Sequence, residues 1–153
     1  MERTTGSEAI DTAPIQLVMQ PRGTGKTTCG TRGHAIQLAC ANPNIAILIA
    51  NERQENANAF LSEIKAQFEH NDLLRALFPE VIPDFRNTTW AAEAATLRRE
   101  RSRPEPTFLT IGVGGTVTGM HFDVILCDDL ISREAMENAR AGAWGIICLL
   151  YTS

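Results

Sequence analysis

The chain has 153 residues, of which 44% are hydrophobic, and its formal net charge at pH 7 is −4. This length suits one domain with a buried core, and the charge argues against a protein that binds nucleic acid through its overall electrostatics. The four cysteines form no C-x-x-C pair, which excludes the usual zinc and disulfide patterns and makes a reducing cytoplasm the expected setting. No stretch predicts a membrane span or a signal peptide.

The first predicted element is a strand followed by a loop that resembles a phosphate-binding loop. Residues 15–19 are mostly apolar, and residues 20–25 supply a loop that contains glycine and proline. The sequence G-K-T at residues 25–27 ends the pattern G-x-x-x-x-G-K-S/T, in which backbone N–H groups cradle phosphates. Gln20 stands where that pattern has its first glycine. A Gly-rich turn without a ligand is the alternative, but a strand before the loop and a helix after it favour nucleotide binding.

The loop and the start of the helix contain the predicted nucleotide-binding residues. In the general pattern the lysine pairs with the terminal phosphates and the hydroxyl residue holds Mg²⁺. The loop arginine lies inside the predicted cradle, where its charge would act on a transferred phosphoryl group, although a solvated arginine is the alternative. The candidate residues are Gln20, Pro21, Arg22, Gly23, Thr24, Gly25, Lys26, Thr27 and Thr28.

A pair of acidic residues follows the last predicted parallel strand. The apolar run at residues 124–127 ends in Asp128 and Asp129, and a carboxylate at such a strand end lies where open α/β sheets bind ligands. We expect Asp128 to hold Mg²⁺ together with Thr27, and Asp129 to orient or deprotonate the attacking water. The alternative is that the pair caps the next helix. The candidate catalytic residues are Arg22, Lys26 and Asp129.

Hydrophobic periodicity predicts an α/β fold for the remaining chain. Apolar runs bounded by turn residues suit strands that are buried in a parallel sheet, and strand–helix–strand is the right-handed crossover unit of such folds. The predicted helices are residues 27–41, 51–70, 72–78 and 132–143, and the predicted further strands are residues 45–50, 107–113 and 124–127.

Three stretches are less regular. Residues 88–96 are ambiguous between strand and helix, and residues 98–106 predict an exposed connection whose four arginines form a solvated helix end. The Gly-rich stretch at residues 112–123 lacks a lysine and leads into a strand, so we interpret it as a tight connection rather than a second phosphate loop. His121 in this stretch is interpreted as a structural hydrogen-bonding residue.

Three segments together resemble one protein family. P-R-G-T-G-K-T-T at residues 21–28, L-L-R-A-L-F-P at 73–79 and G-V-G-G-T-V-T-G-M-H-F-D-V-I-L-C-D-D-L at 112–130 look like the N-terminal ATPase domain of tailed-phage terminase large subunits. The resemblance covers nearly all of residues 15–143. It implies a three-layer P-loop NTPase fold of the RecA-like, additional-strand catalytic-acid type, with a mostly parallel sheet that is incomplete at the C-terminus.

The resemblance also implies an activity, cofactors and partners. Members are ATP-driven motors that use ATP and Mg²⁺ to pump double-stranded DNA into a capsid, as a homo-oligomeric ring, with the portal protein and the terminase small subunit. By position, Lys26 and Thr27 bind phosphate and Mg²⁺, Arg22 acts on the γ-phosphate, and Asp128 binds the metal. Asp129 stands where many members have a catalytic glutamate. The implied location is the cytoplasm of the host cell, without a membrane.

The predicted domain organisation is that of a fragment. Residues 1–14 form a flexible segment and residues 15–146 a partial ATPase domain, while the strand with the coupling motif and the nuclease domain of the family are absent. Residues 147–153, I-C-L-L-Y-T-S, resemble the in-frame translation of a transposon-end adapter and are expected to be non-native. In folds of the type that the resemblance implies, the strand after the second acidic motif lies between the P-loop strand and the acidic strand, and the apolar residues 146–150 are able to occupy that position. We therefore expect a fragment that binds ATP but hydrolyses it poorly.

Two other functions stay open at this stage. A helicase or another nucleic-acid-dependent ATPase has the same loop and acidic strand end, and it would need a second motor lobe. A non-catalytic nucleotide-binding module would be favoured if Gln20 and Asp129 marked a decayed site. The presence of Lys26, Thr27 and Asp128 argues against such decay.

Overall fold

The computed structural model describes residues 15–21, 25, 27–130 and 144–151, and for residues 15–21, 27 and 144–151 it describes the backbone alone. A π-helical segment at Thr27–Gly33 runs directly into the first α-helix. The α-helices are α1 (His34–Ala41), α2 (Gln54–His70) and α3 (Asp72–Leu77). The strands are β1 (Ile15–Pro21), β2 (Ile47–Asn51), β3 (Ala94–Ala95), β4 (Phe108–Gly112), β5 (Val124–Asp128) and β6 (Trp144–Tyr151).

The six described strands form one sheet in the order β1-β6-β5-β2-β4-β3. Strand β2 pairs in parallel with β4 and with β5, whereas β6 is antiparallel to both β5 and β1. Strands β1, β5, β2 and β4 therefore point the same way, and β3 is antiparallel to β4. The α/β class and the mostly parallel sheet predicted from the sequence are confirmed.

One face of the sheet carries the main hydrophobic core. Because successive strand residues point to opposite faces, Ile47 and Ile49 of β2 share a face with Leu126 of β5. These side chains pack with Leu61 and Phe68 of α2, and all five are fully buried. Helix α1 adds two buried alanines to the same cluster, so the described helices α1 and α2 cover one face. The three-layer arrangement stays a prediction.

The opposite face has a smaller cluster. Leu48 and Phe122 are buried there, and the partly buried Ile125 and Leu109 pack against them. These residues alternate with the main-core residues along β2, β4 and β5, as the pleat of a strand requires. The two clusters account for the unbroken apolar runs in the sequence, because a strand that packs on both faces needs apolar side chains at every position.

Most element boundaries differ from the predictions by one to three residues, but the helix expected at residues 27–41 is π-helical up to Gly33 and α-helical only from His34. The strand expected at residues 45–50 begins at Ile47, and the helix expected at 51–70 begins at Gln54 because Asn51 ends β2. Helix α3 ends at Leu77, two residues before the proline, and the Asn71 side chain caps its start by accepting from the Leu74 N–H at 3.1 Å. The predicted helix at 132–143 lies outside the described residues.

The ambiguous stretch at residues 88–96 contains little regular structure. It forms the short strand β3 and an isolated bridge between Trp90 and Ala95. The Trp90 indole N–H donates to Glu69 Oε1 of α2 at 2.5 Å, and the Lys65 ammonium lies 5.2 Å from the centre of the indole ring. The stretch is therefore held by contacts to α2 rather than by a long ladder of strand pairs.

The apolar residues 146–150 belong to β6, which lies between β1 and β5. This is the sheet position that the resemblance leaves for the strand after the second acidic motif. The strand runs antiparallel to both neighbours, and Asp128 of β5 faces Ile147 in the register. The prediction that this apolar segment occupies the position between the P-loop strand and the acidic strand is confirmed.

Candidate functional site

Three parallel strands end at one edge of the sheet, where the candidate site lies. Asn51, Gly112 and Asp128 are the last residues of β2, β4 and β5, and they stand opposite one another in the strand register. Ligands of open α/β sheets bind at the carboxyl ends of such strands. The backbone of β1 also ends at this edge, because β1 runs in the same direction as these three strands.

The loop after β1 is described at Gly25 and from Thr27 onward. Gly25 has a φ of +76°, in the left-handed region that favours glycine, and its carbonyl accepts from the Cys29 N–H at 2.9 Å. Within the described part of the chain, no atom lies within 4 Å of the position that a Cβ would take, so the positive φ itself favours the glycine.

The other predicted loop residues are described in part or not at all. The backbone of Gln20 and Pro21 ends β1, and the backbone of Thr27 begins the π-helical segment. The predictions for Arg22, Gly23, Thr24 and Lys26 lie outside the described residues, as do those for the side chains of Gln20, Pro21 and Thr27. Their roles stay predictions.

The predicted metal ligand Asp128 is a buried carboxylate in contact with the helix after the loop. Its exposed fraction is 1%, and it points to the same sheet face as Leu126. Thr31, which is fully buried, donates from Oγ1 to Asp128 Oδ2 at 3.4 Å. The Asn51 side-chain amide donates to the Asp128 carbonyl at 2.8 Å. The structure therefore brings the acidic strand end into contact with the helix that follows G-K-T, while the shared metal site of Thr27 and Asp128 stays a prediction.

Asp129, the predicted catalytic acid, directly follows the strand in an unusual backbone conformation. Its φ is +46°, which aspartate tolerates better than most residues, and its side chain is exposed. The Glu52 N–H donates to the Asp129 carbonyl at 3.3 Å, so the chain turns at the edge of the sheet beside the end of β2. This turn separates the two acids, because Asp128 stays buried while Asp129 faces solvent.

This donor set is compatible with Mg²⁺ bound to a nucleotide. Magnesium in phosphate-transferring sites is held by one or two carboxylates together with substrate phosphates and water, rather than by a full set of protein ligands. A buried carboxylate beside a threonine-rich helix supplies oxygen donors of that kind. Among the described residues, no group of three or more His, Cys, Asp and Glu side chains forms a metal-binding cluster. Residues Thr27 and Asp128 would hold the ion.

Sequence reasoning missed three residues at this edge: Thr31, Arg32 and Asn51. Thr31 lies four residues after Thr27, a spacing that places two residues on one side of a helix, so its contact was foreseeable. Asn51 follows an apolar strand as Asp128 does, and the same argument from strand ends applies to it. Arg32 donates to the Thr28 hydroxyl and forms an ion pair with Glu63, a contact between helices that no local pattern predicts.

The Gly-rich stretch at residues 112–123 connects β4 to β5, as predicted. The Gly115 N–H donates to the Gly112 carbonyl at 3.0 Å, which closes a turn at the end of β4. A Cβ at Gly112 would lie 2.7 Å from the Gln54 backbone nitrogen, so only glycine allows α2 to approach this closely. The side chain of His121 is exposed, while its backbone carbonyl accepts from Arg103 and its backbone N–H donates to Glu105.

The interpretation of residues 98–106 as an exposed connection is confirmed for most of the segment, but the solvated helix end is wrong, and Arg103 and Glu105 are not solvated. The segment contains no helix, and it packs at the opposite edge of the sheet, before β2, β4 and β5 begin. Arg103 donates to the Asn44 carbonyl, the Asp123 carboxylate and the His121 carbonyl at 2.7 to 3.0 Å. Glu105 is 5% exposed and accepts from Arg103 Nε at 3.2 Å.

These contacts shift the pKa values of the network. The His121 N–H, the Glu105 backbone and the Arg103 guanidinium hold the pKa of Glu105 below its ordinary value. Burial lowers the pKa of Arg103, but the hydrogen bonds and charges of Asp123 and Glu105 outweigh it and raise that pKa. Burial also lowers the pKa of Arg99, whose guanidinium donates to the Glu105 carbonyl and to Thr107 Oγ1. These charged groups bond to other groups of the same chain, so we interpret this edge of the sheet as one that stabilises the fold.

Comparison with known proteins adds the family to this geometry. Residues 17–141 match the family described as terminase large subunit, T4likevirus-type, N-terminal. No curated protein and no solved structure matches the chain. Within the described residues, no helix has both the length and the apolar character needed to cross a bilayer. Because the match spans most of the chain, the chain belongs to the T4likevirus-type terminase large subunit family, as an N-terminal part of it, and this membership implies a role in phage DNA packaging.

Proposed function

We propose that this chain is the ATP-binding motor domain of a terminase large subunit, with a P-loop NTPase fold of the RecA-like, additional-strand type. ATP hydrolysis in the complete motor would drive double-stranded DNA into a capsid. The observation that carries the proposal is the contact between Thr31 and Asp128. It joins the helix that follows G-K-T to an acidic strand end, and these are the two parts that a P-loop site needs.

The proposed chemistry of the loop residues follows from the sequence motif, and that of the two acids follows from their place at this edge. Lys26 and the loop N–H groups bind the phosphates, and Arg22 supplies a further positive charge to the γ-phosphate. Thr27 and Asp128 would hold Mg²⁺, and the charge of that ion would offset the charge that develops on the transferred phosphoryl group. Asp129, exposed next to the buried acid, orients or deprotonates the attacking water.

The proposed partners are those of a packaging complex. A portal protein and a terminase small subunit would meet the large subunit at the capsid, in the cytoplasm of the host cell, and several copies of the motor would form a ring. Family membership supports DNA and packaging-complex partners in general. We further propose that this 153-residue chain binds ATP but hydrolyses it poorly.

The test is a titration of the purified chain with a fluorescent ATP analogue and Mg²⁺. We expect saturable binding that is lost in Lys26→Ala, because that substitution removes the positive charge that pairs with the terminal phosphates. The matched control is Lys65→Ala, the other lysine of the chain, whose ammonium donates to the Ala91 carbonyl at 3.1 Å beside Trp90.

The control variant should keep the affinity of the unmodified chain. Binding that is equal in Lys26→Ala and Lys65→Ala, or no binding by the unmodified chain, would contradict the proposed function. Sustained ATP turnover by the unmodified chain would contradict the narrower proposal of poor hydrolysis while leaving nucleotide binding intact.

A further inference from the structure

The Arg32 side chain makes two contacts, one within its own helix and one to α2. It lies on the helix after the loop, one turn beyond Thr28, and its Nη2 atom donates to Thr28 Oγ1 at 2.6 Å. Its Nη1 atom forms an ion pair with Glu63 Oε2 of α2. The Arg32 side chain is 27% exposed, so the guanidinium is held between the two helices rather than extended into solvent.

The first contact restricts what the Thr28 hydroxyl can do. A hydroxyl group has one proton to donate and two lone pairs that accept. Arginine has no acceptor atom, so the Thr28 oxygen accepts and its proton must point away from Arg32. Thr28 is exposed and directly follows the G-K-T sequence. The arginine therefore occupies one acceptor position of this hydroxyl and restricts its proton to directions that point away from the guanidinium.

We propose that Arg32 is a positioning residue of the nucleotide site: it orients Thr28 to donate to a phosphate oxygen, and Glu63 of α2 holds Arg32 in place. The inference rests on the proposed function, since it assigns a task to the same loop. It extends the nucleotide site to α2, which the sequence motif does not include.

A purely structural contact would not need this arrangement. The ion pair with Glu63 alone would connect α2 to the π-helical segment, and an ion pair with one partner half exposed contributes little to stability. Glu63 is 50% exposed, and Thr28 is open to water that would satisfy its hydroxyl without help. An orienting role explains why the arginine reaches back to an already accessible hydroxyl.

The test is a double-mutant cycle on binding of the fluorescent ATP analogue with Mg²⁺, using Arg32→Met, Thr28→Val and the double variant. We expect Arg32→Met to weaken binding about three- to tenfold, the range for loss of one oriented hydrogen bond. In the Thr28→Val background the same change should have no further effect. Thr28→Ser, which keeps the hydroxyl, should retain the affinity, and Arg98→Met controls for the loss of one positive charge.

The outcomes separate this inference from the proposed function. If the unmodified chain binds the analogue but Arg32→Met binds equally well, the positioning role is wrong and the proposed function stands. An equal loss in the Thr28→Val background would show that Arg32 acts through the fold, which also overturns the inference. Failure of the unmodified chain to bind overturns both. Thermal denaturation of each variant identifies a loss of affinity that comes from unfolding.

Discussion

The two edges of the sheet use charged side chains in opposite ways. At the edge where the parallel strands begin, Arg103 and Glu105 bond to each other and to neighbouring groups of the fold. At the edge where the strands end, a buried acid, Asp128, meets the helix that follows G-K-T, and Asp129 and Thr28 are exposed. Charged groups that bond to each other stabilise the fold. Polar groups that face solvent next to a buried carboxylate are able to bind a ligand.

The largest expected effect comes from the core that supports both edges. Leu126→Ala removes a fully buried side chain from β5, two residues before Asp128. It should lower the free energy of unfolding by about 2–5 kcal/mol, because it leaves a cavity in the main core. Urea denaturation measures the change, and Leu73→Ala is the control, since that side chain is 69% exposed. Equal effects of the two substitutions would contradict the described core.

The next largest effect is expected on ligand affinity rather than on stability. Thr31→Val keeps the shape of a buried side chain but removes the hydroxyl that donates to Asp128. Loss of a group that orients a metal-binding carboxylate typically costs at least tenfold in metal affinity, so we expect Mg²⁺-dependent ATP binding to weaken by about tenfold. The melting temperature should change little. A fall in melting temperature with unchanged affinity would make Thr31 a purely structural residue.

A substitution at the opposite edge should lower the stability of the fold and leave ATP binding unchanged. Arg103→Met removes the donor shared by Asn44, Asp123 and His121 and leaves Glu105 without its guanidinium partner. We expect a lower melting temperature with the affinity for ATP unchanged. The control is the exposed Arg101, whose replacement by methionine should have a smaller effect. A loss of ATP affinity in Arg103→Met would contradict the claim that this edge of the sheet serves stability alone.

The smallest effect is a dependence on pH. The folded pKa of Glu105 lies below its ordinary value of 4.5, so its carboxylate stabilises the fold above the unfolded pKa, and this stability is lost as the pH falls through the folded pKa. Glu105→Gln should therefore be less stable than the unmodified chain at neutral pH, and the difference should shrink below pH 4.5. Melting temperatures at several pH values measure it; a constant difference would contradict the assignment.

The sequence predicted those parts of the molecule that depend on short segments. Apolar runs located β2 and β5, and the two acids at the end of β5 were assigned to the ligand-binding edge because a parallel strand ends there. Thr31 and Asp128 are 97 residues apart, and their contact depends on the packing of a helix on the sheet. The same holds for Arg103, whose partners Asn44 and Asp123 come from distant loops. The expectation that Arg103 is solvated is wrong, because the burial of a side chain depends on tertiary contacts that a short segment does not show.

The most direct test asks whether one edge of the sheet binds the ligand while the other stabilises the fold. It compares the aspartates at the two ends of β5. Asp123 precedes β5 and bonds to Arg103, whereas Asp128 ends it. The measurement is the affinity for the ATP analogue as a function of Mg²⁺ concentration, with the melting temperature recorded for each variant. We predict that Asp128→Asn loses the Mg²⁺ dependence, and that Asp123→Asn keeps it but melts at a lower temperature. Retention of the full Mg²⁺ dependence in Asp128→Asn would contradict the proposed site.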